Sequence, residues 1–235
     1  KKVEAFAGRR VVAVSAGYDH SLALTADGAV WSWGDGDYGK LGHGNIQNQL
    51  LPKKIEALAG QRVVAVLAGY FHSLALTADG AAWSWGLGYA GRLGHGDAQD
   101  QPLPKKGQRV VAVSAGLVHS VTLTADGSLW SWGGGTEGCL GHGEKQDRLL
   151  PKKVEALAGR RVVAVSAGGH HSKAITADGA VWSWGYGGDG RLGHGDQQNQ
   201  LLPKKIEAFA GRRVLEALAG QRVVIVSAGW EHSLA

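Results

Sequence analysis

Apolar and polar positions along this chain fall into blocks, and the blocks recur. "RVVAVSAG", from Arg10 to Gly17, is a continuous apolar run of strand length, suited to a strand buried on both faces. "HSLALTADGAVWSWG", from His20 to Gly34, holds two short runs joined at Asp27-Gly28, a pair that favours a type I′ hairpin turn. The second run carries Trp31 and Trp33, which share a face because side chains alternate along a strand. After a glycine-rich loop, "LLPKKIEAL", from Leu50 to Leu58, reads as an edge strand or a short helix. Its proline suits an outer position, where the missing N–H costs no ladder bond.

The blocks return as "LAGYFHSLALTADGAAWSWG", "SAGLVHSVTLTADGSLWSWG" and "SAGGHHSKAITADGAVWSWG", and "SAGWEHSLA" ends the chain. The histidine of the phrase falls at His20, His72, His119, His171 and His232, giving spacings of 52, 47, 52 and 61. The short spacing arises where "PKKGQR", from Pro104 to Arg109, replaces the longer "PKKIEALAGQR". The long one comes from an extra "VLEALAGQR" at Val214 to Arg222, a near copy of the segment before it. Four antiparallel strands per roughly fifty residues is the pattern of a propeller blade. The expected units are 9–60, 61–107, 108–159 and 160–220, with a partial fifth at 221–235, in a single repeat domain spanning 1–235.

The recurring "AGxxHSLAL", "DGxVWSWG" and "GxLGHG", with a proline following the last of them in each unit, closely resemble the regulator of chromosome condensation repeat family. The resemblance covers nearly the whole chain. It implies an all-β propeller of four-stranded antiparallel blades, usually seven. Four full units and part of a fifth then make a partial ring or arc, an excerpt of a larger propeller. The resemblance also favours an intracellular setting. The best-known family member performs guanine nucleotide exchange on a Ran-like small GTPase through one propeller face and a protruding insertion, and no comparable insertion occurs here. A plant photoreceptor relative uses clustered tryptophans. Only Trp230 stands in such a place here, with no arginine after it, which speaks against light sensing.

Composition adds limits. Glycine reaches 38 of 235 residues without a Gly-X-Y period, so the chain must turn tightly and often. No apolar run approaches the ~18 residues a membrane span needs. The single cysteine, Cys139, excludes an intramolecular disulfide, and the lack of methionine even at position 1 leads to the expectation of a longer or processed product. A net charge of +5 permits acidic partners without demanding them.

The candidate chemistry reads as scaffold. The eight paired tryptophans occupy one place in every unit and suit the gap between neighbouring sheets. Nine of the ten histidines belong to the repeated "HS" and "LGHG", and equivalent positions on separate blades lie too far apart to share a tetrahedral zinc. Each is expected to bond its own turn or an adjacent blade, while His20, Ser21 and Asp27 together read as hairpin wiring. His170 and His171 are expected on opposite faces of a strand. The glycine loops lack the GK-Ser/Thr of a phosphate cradle. No catalytic constellation is peculiar to one blade, so no enzyme activity and no cofactor are expected. Cys139 stands where other repeats carry Lys40, Arg92 and Arg191, and is expected to be exposed.

Two features remain. Lysine pairs recur at Lys53-Lys54, Lys105-Lys106, Lys152-Lys153 and Lys204-Lys205, a basic perimeter that could meet chromatin or another anionic surface, diluted by nearby Glu56 and Glu155. Against fixed surroundings, two turns vary. One holds Tyr18-Asp19, Tyr70-Phe71, Leu117-Val118, Gly169-His170 and Trp230-Glu231; the other includes Asp37, Tyr38, Tyr89, Glu137, Tyr186 and Asp189. Positions shared by all units serve folding, whereas positions that differ are free to carry individual roles. This mix of aromatic and acidic residues suits protein contact. The expected function is a non-catalytic scaffold for another protein, including service as a peripheral subunit of a larger assembly. Nucleotide exchange and chromatin binding are the alternatives.

Overall fold

The computed structural model describes residues 3–209. Four separate sheets stand in it, each of four antiparallel strands in chain order. The first blade holds β1 (Val11–Ala16), β2 (His20–Thr25), β3 (Val30–Gly34) and β4 (Gln49–Lys54). The second holds β5 (Val63–Ala68), β6 (His72–Thr77), β7 (Ala81–Gly86) and β8 (Gln101–Arg109). The third holds β9 (Ala112–Ala115), β10 (His119–Leu123), β11 (Leu129–Gly133) and β12 (Arg148–Lys153). The fourth holds β13 (Val162–Ala167), β14 (His171–Thr176), β15 (Val181–Gly185) and β16 (Gln200–Lys205). The chain is thus all-β, a partial propeller of four-stranded blades. The partial fifth repeat, with Trp230 and Glu231, lies outside the described residues.

Burial comes from stacking one blade on the next. Val14 in β1 is 72% exposed, yet Val66, Val113 and Val165 at the same place in their own blades are 4, 5 and 6% exposed. Each of those three joins a core cluster that includes a residue of the blade before it: Val66 with Leu22, Val113 with Leu74 and Val165 with Val121. Covering one valine in this way contributes roughly 1.5–2 kcal/mol. The paired tryptophans fill the same seams. Trp85 and Trp184 are fully buried, and Trp31, Trp132 and Trp182 nearly so. Trp33, Trp83 and Trp130 are half-buried.

One expectation about local structure is corrected. The Asp27-Gly28 turn is not type I′, because only Gly28 has a positive φ (83°). Gly28 N–H donates to the Thr25 carbonyl (2.8 Å) and Thr25 N–H to that of Ala29 (3.0 Å), the pattern of a type I turn closed by a left-handed glycine. The Asp27 carboxylate accepts from the Thr25 hydroxyl (2.5 Å) and from Ala29 N–H (3.3 Å), which holds the turn in that form. In the segment read as strand or helix both occur in turn: β4 opens at Gln49, ahead of the proline, and a 3-10 turn follows at Glu56–Leu58.

The second blade differs where its connector is short. In the first and third, Ile55 and Leu58, or Val154 and Leu157, return to the core after the outer strand. The second has no such residues, and β8 runs straight on to Arg109, which pairs with Ala81. This carries the strand past the repeat boundary expected at 107/108. A small apolar cavity remains at the seam, lined among others by Leu74, Ala82, Trp83, Leu93, Val113 and Trp132.

Candidate interaction face

The repeated histidines build the seams between blades. His20 Nε2 lies 2.9 Å from Ser73 Oγ, His72 Nε2 3.1 Å from Ser120 Oγ, and His119 Nε2 2.8 Å from Ser172 Oγ. Each of these serines donates to a carbonyl in the previous blade: Ser73 to Lys40 (2.8 Å), Ser120 to Arg92 (3.0 Å) and Ser172 to Cys139 (2.9 Å). The serine proton is thereby committed, so each histidine carries its proton on Nε2 and donates to the serine oxygen. Burial holds these imidazoles neutral, lowering His20 to about 4 and His119 to about 3. Wiring of His20 and Ser21 within one hairpin is therefore corrected: the serine that meets His20 comes from the next blade. The rings also press on backbone. A Cβ at Gly17 would sit 2.5 Å from the His20 ring, so only glycine fits there.

The "LGHG" histidines serve their own blade. Ser32 donates to the Leu41 carbonyl (2.7 Å) and accepts from His43 Nε2 (3.0 Å); Ser84 with His95, Ser131 with His142 and Ser183 with His194 repeat the arrangement. His170 precedes β14 rather than lying on it, and its Nδ1 is 3.2 Å from the Thr136 hydroxyl. His171 is buried at the strand's first position. Among the described residues no group of three or more histidine, cysteine or acidic side chains is gathered to hold a metal ion.

Cys139 is fully buried, contrary to the exposure expected of a loop residue. Its Sγ–H donates to the Gly134 carbonyl at 3.1 Å, and burial pushes the thiol pKa up. The equivalent cations are covered as well. Lys40 pairs with Asp35, and Arg92 donates to the Tyr89 (3.0 Å) and Leu117 (2.8 Å) carbonyls. The next blade lies over this position: a Cβ at Gly86 would be 3.2 Å from Lys40 Cα, and one at Gly185 3.1 Å from Cys139 Cα.

The two variable turns connect the first strand to the second and the third to the fourth, so antiparallel pairing puts them at one end of each blade. There the structure gathers part of the expected set. Tyr18 and Tyr70 stack across the first seam, with ring centroids 4.0 Å apart and planes 17° from parallel. Phe71 meets Tyr70 edge-on at 4.3 Å and Tyr38 at 5.7 Å. Lys40, which sequence reasoning left out of the site, lies under this group with Nζ 5.9 Å from the Phe71 ring. Its signal was a basic residue at this place in three of four repeats. Tyr18 and Tyr38 are exposed, as are Asp19 and Asp37 beside them. The Tyr70 hydroxyl is pushed up to about 12, by desolvation first and then by Tyr18 and the Asp19 charge.

The remaining candidates sit at the same end of their own blades. Tyr89 is exposed above Arg92, and Tyr186 lies 4.7 Å from the Arg191 guanidinium. Glu137 accepts from Lys145 (2.8 Å) and Asn199 (2.5 Å), and Asp189 pairs with Arg191 (2.8 Å). Leu117 and Val118 are half-buried, their carbonyls taken by Arg92 and Gly134 N–H. Tyr38, Ala90, Glu137 and Asp189 hold one equivalent position with φ between 57 and 60°. The loop thus keeps a left-handed turn whatever side chain it presents.

The lysine pairs lie on the outer strands β4, β8, β12 and β16. Several meet acids: Lys54 with Glu56 (3.5 Å), Lys106 with Asp79 (3.6 Å), Lys152 with Glu144 (3.5 Å) and Lys204 with Asp196 (4.0 Å). No helix among the described residues is long and apolar enough to cross a membrane.

The chain is similar to known proteins. The chain is 38% identical to the ultraviolet-B receptor UVR8 of Arabidopsis thaliana over 235 residues, all of this chain and 41% of the receptor. It is 42% identical to the human E3 ubiquitin-protein ligase HERC2 over 207 residues, 87% of this chain and 3% of the ligase. Among solved structures, Prp20p of Saccharomyces cerevisiae, described with its binding properties to Gsp1p and histones, superposes with a TM-score of 0.79 at 28% identity. That match covers all of this chain and 59% of Prp20p, so the chain spans less than two thirds of each of these relatives. The sequence profile of the RCC1-like domain matches residues 1–235, and the chain belongs to the RCC1-like domain family.

Proposed function

We propose that this domain is a non-catalytic propeller scaffold that binds another protein through the end carrying its variable turns, and that it does so within a larger assembly. The observation that supports it best is the Tyr18–Tyr70 stack with Phe71 and Tyr38 around it. Large rings left in contact with water on a rigid frame are the residue type that carries most binding energy at protein interfaces. The blades supply that frame, because each of the three described seams is fixed by a histidine–serine–carbonyl relay and by buried tryptophan. The remaining described candidates, Tyr89, Tyr186, His170 and Asp189, extend the same surface in this reading; Trp230 and Glu231 lie outside the described residues.

The test is affinity capture of partners with the chain and with a Tyr18→Ser/Tyr70→Ser/Phe71→Ser variant. Recovery of specific partners should fall at least tenfold in the variant. Unchanged recovery, with the variant folded, would rule out this surface.

A second reading rests on the likeness to Prp20p, whose description names Gsp1p and histones. In it the domain contacts a Ran-like GTPase or chromatin, the latter through the lysine-bearing outer strands. Nucleotide release from purified small GTPases, and retention on nucleosomes at rising salt, separate these from the scaffold reading.

A further inference from the structure

The aromatic group at the first seam carries a charge pattern that the other blades lack. In the third and fourth blades the acids of the variable turns are matched within the chain, Glu137 by Lys145 (2.8 Å) and Asp189 by Arg191 (2.8 Å). In the first blade Asp35 is matched by Lys40. Asp19 and Asp37 are exposed, and neither has an ion-pair partner among the described residues. The other blades hold Phe71, Val118 and His170 in place of Asp19, and Tyr89, Thr136 and Gly188 in place of Asp37. The fold therefore requires neither carboxylate.

The two acids frame the rings. Asp19 follows Tyr18 in the chain and Asp37 precedes Tyr38, and the Asp19 carbonyl accepts from Asp35 N–H (2.8 Å), which ties the two turns together. Tyr18 is 54% and Tyr38 42% exposed, and their ring centroids lie 6.4 and 5.7 Å from that of Phe71. The Asp19 charge reaches the Tyr70 hydroxyl across the seam. An aromatic face attracts a cation through its quadrupole, and a carboxylate beside it accepts that cation's N–H groups. The chain already pairs rings with cations at this end: Lys40 with Phe71 (5.9 Å), Arg92 with Tyr89 (5.9 Å) and Arg191 with Tyr186 (4.7 Å).

We propose that this patch receives an arginine side chain of the partner protein, its guanidinium against the exposed Tyr18 and Tyr38 rings and its charge met by Asp19 and Asp37. The proposal rests on the scaffold reading above and gives that partner its chemistry. Arginine suits the place better than lysine, because a planar guanidinium stacks on a ring while its fork meets a carboxylate. Asp19, Asp35 and Asp37 against Lys40 leave two negative charges here, on a chain whose net charge is +5. A basic segment is thus drawn to this place and repelled from most others.

A second copy meeting the chain face to face does not supply the arginine. Of the described arginines at this end, Arg92 donates to carbonyls, Arg148 pairs with Glu144 and Arg191 with Asp189. The others precede the first strands of their blades or close β8, at the opposite end.

Selection from a random nonapeptide library displayed on phage tests this. Peptides retained by the chain should be enriched in arginine about fivefold over the starting library, and those retained by Asp19→Asn/Asp37→Asn should not be. A retained arginine peptide should bind about tenfold more weakly when citrulline, of the same shape without the charge, replaces its arginine, and equally so to the Asn pair. The Asn pair changes exposed side chains only and leaves the rings in place. Retention of acidic or uncharged peptides that is lost in Tyr18→Ser/Tyr70→Ser/Phe71→Ser would overturn the proposal and leave the scaffold reading standing. Arginine peptides held equally by the Asn pair or by the ring variant would overturn it too. So would the absence of any ring-dependent peptide, in which case partner capture alone decides the scaffold reading.

Discussion

His20 and Ser73 are 53 residues apart and in different blades, yet their side chains meet at 2.9 Å in a buried seam. Because Ser73 also donates to the Lys40 carbonyl, one hydroxyl ties a strand, its neighbour blade and a loop together. Ser73→Ala removes the hydroxyl and leaves both His20 Nε2–H and the Lys40 carbonyl buried without it. A loss of about 2–4 kcal/mol in unfolding free energy is expected, measured by urea denaturation. Ser21 lacks the corresponding histidine of a preceding blade among the described residues, so Ser21→Ala should cost clearly less.

The same seams make stability depend on pH. Unfolded histidine titrates near 6.5, whereas burial lowers His20 to about 4, with Lys40 adding to it, and lowers His119 to about 3. Burial lowers His72 as well. Between the unfolded and native values the unfolded chain binds protons that the native chain refuses. Stability is therefore complete above about pH 6.5 and falls as the solution is acidified towards pH 4. Each such histidine contributes about 1.4 kcal/mol per pH unit to the fall. Denaturation midpoints at pH 7.5 and 5 should differ accordingly, and His119→Gln should flatten the dependence.

The sequence disclosed the blades because the strands and turns of a blade are stated four times over. It disclosed less where one blade lies on another. Asp27-Gly28 suggested a type I′ turn from two residues, but the Thr25 hydroxyl and Ala29 N–H hold the carboxylate in a different one. Cys139, Lys40 and Arg92 look like loop surface in a one-dimensional pattern, and the following blade covers all three. The aromatic group shows the opposite limit. Variation marked Tyr18, Tyr38, Tyr70 and Phe71 one by one, but only the fold brings Tyr18 and Tyr70 face to face across a seam.

The shortened connector predicts a gain in stability. The seam between the second and third blades lacks the aliphatic pair that Ile55 and Leu58 supply elsewhere, and Ala82 stands where Val30, Leu129 and Val181 stand in the other blades. Ala82→Val directs two methyl groups towards the small apolar cavity bounded by Leu74, Val113 and Trp132. The expected gain is about 1 kcal/mol, read as a higher thermal midpoint. Val30→Ala, which empties the filled equivalent, should cost about 2 kcal/mol. A loss of stability in Ala82→Val would mean that β8 has already closed the space.

Cys139 offers a direct clock for opening of a seam. The thiol is fully buried, donates to the Gly134 carbonyl and is held protonated by its surroundings, while the Cys139 carbonyl takes both the Ser172 hydroxyl and Trp184 Nε1–H (each 2.9 Å). Thiolate is the reactive form, so a native Cys139 should resist modification even at pH 8.5. Labelling with a thiol-reactive chromophore should follow the opening of the third blade from the fourth rather than the intrinsic rate of an exposed thiol. Ser172→Ala takes away one of the two bonds that hold this loop against the fourth blade, and should speed labelling at least tenfold while the fold persists. Immediate stoichiometric labelling of the unmodified chain would contradict the buried seam.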